Sequence, residues 1–296
     1  MLYEIKNENL SVSVAAHGGE LRSVKDREGR EYLWQGDPDI WKESAPNLFP
    51  YIARMTDKTY TFRAETYHMN IHGFLKYMDM ELVSCEGDTL VMKLDSSQET
   101  KAQYPFDFTV EIRWQLKGKS LEITYCVENK DNKTMYFGIG GHPGFNVPME
   151  DGLAFTDYCL DFGQETQPLR VGMSEDCFVT GKDEPYALRE GRFLDLRHDL
   201  FDDDAVILCG MPKQVTLTSD KGTRGIRVEY PDMTYLGIWH KPGMEAPYVC
   251  IEPWTSLPSR KGVVEDISGQ DNLISLEAGA KYENSWSITV TDISRE

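Results

Sequence analysis

The dominant period along this chain is two. Over residues 106–116, Phe106, Phe108, Val110, Ile112, Trp114 and Leu116 alternate with Asp107, Thr109, Glu111, Arg113 and Gln115. After the turn "KGKS" the alternation resumes at Leu121, Ile123, Tyr125 and Val127. This pattern predicts an antiparallel hairpin with one buried face. Residues 81–95, "ELVSCEGDTLVMKLD", predict a second hairpin turning at Glu86-Gly87-Asp88. Residues 214–230, "QVTLTSDKGTRGIRVEY", predict a third turning between Ser219 and Thr223. "LSVSVAA" near the start and "WSITVTD" near the end read as further strands. Helical periodicity is nearly missing. A short helix is expected only in "DPDIWKES" (residues 37–44), with Asp39 in its first turn. Strands at short spacing without intervening helices predict an all-β chain, a large antiparallel β-sandwich of stacked, twisted sheets rather than an α/β fold. Sheets with one buried and one wet side would leave an open concave face for a ligand. Residues 150–204 are acidic, turn-rich and least strand-like, and are expected to form a long excursion with short hairpins. Without a linker, low-complexity tract or internal repeat, residues 1–296 are expected to form one domain.

Bulk properties narrow the class. Of 296 residues, 40% are hydrophobic and 27% charged, an ordinary soluble globular composition. The net charge of −18 removes the basic footprint of a nucleic-acid binder and disfavours anionic membranes. The first residues, "MLYEIKNENLSVSV", lack the basic region and apolar run of a signal peptide. No apolar stretch approaches the roughly 20 residues of a membrane span, so a cytoplasmic location is expected. The six cysteines are scattered without C-x-x-C spacing, several inside strand-like runs. They read as reduced thiols used as small apolar side chains.

Candidate chemistry gathers in three short motifs. Of six histidines, two lie in glycine-bearing, aromatic-bearing turns: His72 in "NIHGF" and His142 in "GGHPGFN". Glycine beside a histidine lets backbone and substrate approach closely. Either histidine can be a packed turn residue or a proton-transfer group. The third motif is "YVCIEPW", where Glu252 follows an apolar run and Pro253 is expected to stop the ladder. A carboxylate there costs desolvation unless paired or used, and burial would raise its pKa towards that of a working base. Two histidines and a carboxylate also match a non-haem iron triad, although separations of 70 and 110 residues do not favour a metal site. No metal and no organic cofactor is expected. Nucleophile-elbow, phosphate-loop and dinucleotide fingerprints are missing.

"NIHGF", "GGHPGFN" and "CIEPW" in that order, with "PNLFPYIARM" upstream, resemble the aldose 1-epimerase (galactose mutarotase) family over nearly the whole chain. The match is nearest a bacterial branch that includes a protein encoded with lactose-utilisation genes. The resemblance implies a large antiparallel sandwich carrying a sugar on its concave face, and interconversion of the α and β anomers of a free hexose such as galactose or glucose. It implies Glu252 as the base at the anomeric hydroxyl O1, His142 as the acid at the ring oxygen O5, and His72 as an orienting group. Arg54 and Asp204 would hold sugar hydroxyls. The aromatics Phe74, Phe145, Trp239 and Trp254 are candidates to stack on the sugar's C–H face, each with core packing as its alternative. Better-known members read closer to N-H-x-Y-F-N at the second histidine and place glutamine soon after the catalytic glutamate. Phe49-Pro50 is similar to the branch acting on hexose 6-phosphates. The acidic balance favours a neutral hexose. Two other readings are a hexose-6-phosphate mutarotase and a non-catalytic sugar binder on the same fold.

Overall fold

The period-two segments form strands with the expected facing in the computed structural model, which describes residues 1–292. Phe108–Lys117 alternates buried and half-buried positions along its length, and pairs with Ser120–Asn129 in register from Lys117 opposite Ser120 to Phe108 opposite Asn129. The other two hairpins form as Glu81–Glu86 with Thr89–Asp95 and as Gln214–Thr218 with Arg224–Glu229. All of these join one nine-stranded antiparallel sheet, with the long last strand Lys281–Asp292 between Arg224–Glu229 and Ser120–Asn129.

An eight-stranded antiparallel sheet lies against it. Its strands include Val206–Cys209, Tyr235–Trp239, Tyr248–Trp254, Gly140–Gly141, Gly144–Asn146 and Asn47–Leu48. One core cluster draws Trp114, Ile123 and Ile288 from the first sheet and Phe145, Ile238, Val249 and Ile251 from the second. Apolar side chains meeting between two sheets are what holds a sandwich together. Each fully buried aliphatic or aromatic side chain contributes about 1.5–3 kcal/mol. The opposite face of the eight-stranded sheet is also covered. Tyr248 and Cys250 pack there with Trp34, Trp41 and Trp239, and Trp254 packs with Leu48, Ile52 and Ile207. Every residue of Tyr248–Trp254 is therefore buried.

Three local readings need correction. Residues 37–44 form no helix. Ile40 and Asp39 donate their backbone N–H groups back to Asp37, Asp37 bridges Trp41, and the Trp34 indole N–H donates to the Trp41 carbonyl. Pro38 and the Asp37 side chain favour this tight turn over helix continuation. A helix forms instead at Gln98–Gln103, where Ser97 and Thr100 cap each other's backbone N–H. At six residues it is too short to show periodicity, although its cap signal is a recognised one. Pro253 does not stop its strand, which runs to Trp254. The excursion at residues 150–204 carries short strands. Cys159–Asp161 and Phe193–Asp195 extend the nine-stranded sheet, while Leu169–Arg170 and Glu184–Pro185 extend the other.

Candidate active site

The register of the eight-stranded sheet sets His142 against Glu252. Gly144 pairs with Cys250 and Gly140 pairs with Trp254. The same antiparallel register places residue 142 opposite residue 252, between the two pairs. The ladder is thinned there because Pro143 and Pro253 have no N–H to contribute, although the Ile251 N–H still donates to the Pro143 carbonyl at 3.1 Å. Gly140 has to be glycine, since a Cβ would stand 2.6 Å from the Pro253 carbonyl oxygen. Alternation then assigns the faces. Tyr248, Cys250, Glu252 and Trp254 point away from the sandwich core, and Val249 and Ile251 point into it. On the next strand Gly237 lies opposite Glu252, and Trp239 opposite Cys250.

His142 Nε2 and Glu252 Oε2 approach to 3.2 Å, with the histidine 8% and the glutamate 1% exposed. The contact lacks hydrogen-bond alignment, so Glu252 Oε2 has no hydrogen-bond partner, and the same holds for His142 Nδ1 and the Trp254 indole N–H. Burial drives the two groups apart in pKa. Glu252 is pushed well above the usual carboxylate range by desolvation first and then by the Asp204 carboxylate, against the Lys76 ammonium. His142 is pulled down to about 3 by desolvation and by Lys76. Both shifts favour uncharged forms. At 3.2 Å the two groups are close enough to exchange a proton.

His72 arrives from the loop after Glu65–His68, at a positive φ of 65°. Its Nδ1 accepts the Ala53 N–H at 3.1 Å, and its own N–H donates to the Ala53 carbonyl at 2.9 Å. An acceptor Nδ1 puts the proton of the neutral ring on Nε2. The ring lies edge-on to His142, centroids 5.4 Å apart, and burial holds its pKa well below 6.5. Gly73 fixes this loop. Its φ is 76°, and a Cβ would stand 2.2 Å from the Phe49 carbonyl oxygen. A Gly73→Ala substitution is expected to destabilise the fold by about 3 kcal/mol through left-handed backbone strain and that clash. Chemical denaturation checks this, and a loss under about 1 kcal/mol would contradict the packing described.

These side chains line a cavity of about 440 Å³. His142 and Glu252 lie with His72, Arg54, Asp204, Trp239 and Trp254 along its walls. Arg54 Nη1 stands 3.6 Å from Asp204 Oδ2, both side chains partly exposed. Asp204, at φ 76°, also accepts from the Cys177 thiol at 2.8 Å. Burial and this carboxylate push the thiol up to about 11. Phe145 is not a wall of the cavity, a correction to the sequence reading. It is fully buried in the sandwich core with Phe74, because it stands an odd number of residues from His142 and so faces the other side of the sheet. Trp41 and Lys76 were not foreseen. Trp41 lies 5.1 Å from the His142 ring, and Lys76 lines the wall with its ammonium 2.8 Å from Glu43. The turn at residues 37–44 delivers Trp41, which only its tertiary contacts reveal.

The iron-type triad that the spacing disfavours would use His72 with His142 and Glu252. The donor atoms that lie within 4.8 Å of one another belong instead to His142, Cys250 and Glu252. Such a nitrogen, sulfur and oxygen set suits a soft divalent ion.

A family model for aldose 1-epimerases matches residues 1–289. The chain belongs to the aldose 1-epimerase family. It is 31% identical to the plasmid and chromosomal LacX proteins of Lactococcus lactis subsp. lactis, over 98% of this chain and 99% of theirs. A galactose mutarotase related enzyme from Lactobacillus acidophilus is 31% identical, with a TM-score of 0.95 over 100% of this chain and 99% of that one. A galactose mutarotase-like protein from Lactobacillus casei is 30% identical, with a TM-score of 0.92 over 98% and 100%. The galactose 1-epimerase of Lactobacillus acidophilus, at 12% identity and a TM-score of 0.72 over 98% and 94%, shares the fold. Among the described residues, no helix is long and apolar enough to cross a membrane.

The buried histidines of this epimerase-family chain set a pH dependence of stability. His72, His142 and His240 all have folded pKa values below 6.5, each through burial first. His240 is buried outside the cavity, its Nε2 3.0 Å from His198 Nδ1. The unfolded chain takes up protons near pH 6.5 that these three sites refuse. Their contribution is complete above about pH 6.5 and falls as the pH drops below it, down to the folded values. Glu252 acts in the opposite sense. Its folded pKa is raised, so its contribution falls as the pH rises from about 4.5 through the folded value. Three groups outweigh one, and the melting temperature is expected to fall between about pH 7 and pH 5. A melting temperature that rises over this interval would show that the histidines are not buried neutral.

Proposed function

We propose that the protein interconverts the α and β anomers of a neutral free hexose, such as galactose or glucose, by acid–base ring opening and closure. The observation that carries this reading is the cavity floor. His142, Glu252 and Trp254 line a space of about 440 Å³, and each carries a buried polar atom without a hydrogen-bond partner. Buried polar atoms left unpaired call for a ligand that pairs them, and a sugar carries both donors and acceptors.

Ring opening removes a proton from O1 and adds one to O5. Rotation about C1–C2 and the reverse transfers then close the ring as the other anomer. A pair that can pass a proton between its members can do this without net gain or loss. Glu252 takes the O1 proton, and His142 gives a proton to O5. The uncharged resting pair must first become carboxylate and imidazolium. The nearby Lys76 ammonium favours the carboxylate, and hydrogen bonds from sugar hydroxyls are available to both groups. His72 Nε2–H would donate near the ring oxygen, and Arg54 and Asp204 would offer a donor and an acceptor to the other hydroxyls. Trp239 and Trp254 present apolar surface to the C–H face. The reaction involves no net oxidation or reduction and transfers no group to a second molecule, so it requires no cofactor.

The charge of the cavity favours a neutral sugar over a hexose 6-phosphate. Arg54 already faces Asp204, and Lys76 faces Glu43, with Asp203 beside them. Polarimetry of freshly dissolved α-D-glucose and α-D-galactose tests the proposal. Equilibration no faster with protein than without it would refute the assignment and leave a sugar-binding role on the same fold.

A further inference from the structure

We infer that His142, Cys250 and Glu252 form a binding site for a thiophilic divalent cation of the zinc class, and that its occupation switches proton transfer off. The binding stands on the donor geometry, and the inhibition rests on the epimerase reading.

Cys250 is a buried nucleophilic group that the proton-transfer scheme does not use. It is fully buried and stands two residues before Glu252 on the strand Tyr248–Trp254. A period of two puts both side chains on one face of that strand. The register that sets His142 opposite Glu252 brings the third donor from the neighbouring strand. Two ligands at i and i+2 on one strand and a third on the strand beside it give the compact spacing that His72, His142 and Glu252 lack. The expectation of no metal was drawn on those three residues. Cys250, which the sequence presents as a small apolar side chain, changes the set.

The distances suit a small ion. His142 Nε2 and Glu252 Oε2 are 3.2 Å apart, and every pair among the three donors lies within 4.8 Å. Zinc bonds of about 2.0–2.3 Å place tetrahedral ligands about 3.4–3.6 Å from one another. The closure required is therefore at most about 1.2 Å, within reach of a glutamate with three rotatable bonds. Glu252 Oε2 is buried without a hydrogen-bond partner, and a cation would satisfy it.

The charges also balance. A thiolate and a carboxylate with a neutral imidazole leave a divalent cation's site uncharged, which removes the cost of an isolated buried charge. Binding releases the thiol proton, and any proton on the carboxyl group, to solvent. A sulfur, a nitrogen and an oxygen favour zinc, cobalt(II) or cadmium over magnesium and calcium, which take oxygen ligands. Trp34, Trp41 and Trp239 pack against the cluster that contains Cys250. His142 and Glu252 line the cavity, which gives an entry path and room for a water as fourth ligand. Along its walls Arg54 and Lys76 stand against Glu43, Asp203, Asp204 and Glu252, a negative balance that draws cations in. A bound cation occupies the lone pairs with which His142 and Glu252 would move protons, so ring opening stops.

The test titrates chelator-treated protein with zinc chloride by calorimetry and with cobalt(II) chloride by absorption. One zinc ion per chain is expected to bind at micromolar concentrations, and cobalt(II) should give the near-ultraviolet thiolate charge-transfer band. Exchange of α-D-glucose and α-D-galactose anomers should fall in proportion to bound zinc and return on adding EDTA. Cys250→Ala should lose the cobalt band and bind zinc at least about 10–100-fold more weakly, the loss that even an outer partner of a metal ligand causes. A thermal melt checks its fold. Rates with and without zinc are compared within each protein, so a change in the variant's own rate does not enter. The wild-type cobalt spectrum needs no variant. Zinc that fails to bind stoichiometrically, a cobalt spectrum without the thiolate band, or a folded variant with unchanged affinity would overturn the site. Bound zinc with undiminished exchange would overturn the inhibition. No exchange in the metal-free protein would remove the epimerase reading, while calorimetry and the cobalt spectrum would still decide the site.

Discussion

A Glu252→Gln variant is expected to exchange anomers 10²–10⁴-fold more slowly than the wild type, the effect of one positioned proton transfer. The amide keeps the shape of the carboxyl group and fits the same space, 1% exposed between the strands. It cannot take the O1 proton. It also ends proton exchange with His142, whose Nε2 stands 3.2 Å away. A carboxyl group that burial pushes towards its uncharged form loses little solvation on becoming an amide, so the fold should survive. Polarimetry gives the rate, and circular dichroism with a thermal melt gives the fold. A well-folded variant within about fivefold of wild-type activity would remove Glu252 from the reaction. A variant that is slow and also unfolded is resolved by Glu252→Asp. That change keeps the carboxylate but withdraws it by one methylene, and should recover part of the rate.

The largest expected loss of stability lies on the opposite side of the sandwich. Trp114→Ala should cost about 3–5 kcal/mol. The indole is 1% exposed, between Leu90 and Ile123 on the flanking strands. It also fills the space above Gly19, where a Cβ would stand 3.0 Å from its ring. Truncation removes that contact with the N-terminal strands and leaves a cavity the surrounding sheet cannot close. The neighbouring Arg113 faces the other side, and Arg113→Ala should change stability by less than about 0.5 kcal/mol. Equilibrium denaturation of both variants checks the contrast. Equal losses would mean that alternation does not set the faces of this strand.

That contrast marks what the sequence makes legible. Where one face of a strand is wet and the other dry, as from Phe108 to Lys117, alternation alone gives strand, face and partner. The strand Tyr248–Trp254 is buried on both faces, so its residues show no contrast, and Glu252 stood out only as a charge in an apolar run. The three site motifs were visible as residues, but their meeting depends on a register fixed by glycine and proline positions on separate strands. Parity would have excluded Phe145, since the face that carries His142 also carries residue 144 and not residue 145. Trp41 and Lys76 had no comparable signal. One sits in a turn that resembled a helix start, the other in a short 3₁₀ segment, and each reaches the cavity through contacts with distant parts of the chain. The excursion at residues 150–204 was legible as irregular but not as a wall, because its strands of two or three residues are too short to carry a period.

His142 and Glu252 face each other across two hydrogen-bonded strands, and this restricts how such a protein can change over evolutionary time. The gap between acid and base is a property of register, which shifts only in whole residues. Inserting or deleting one residue in either strand turns one member of the pair into the core. The chemistry is therefore inherited intact or lost outright, with few intermediate states for selection to act on. The short hairpins of the 150–204 excursion, which wall the cavity with Met173, Cys177, Asp203 and Asp204, are under no such restriction, since surface connections lengthen and shorten at little thermodynamic cost. Divergence within this lineage should therefore concentrate in insertions and deletions between residues 150 and 204, reshaping the wall of the cavity while His142 and Glu252 keep their spacing.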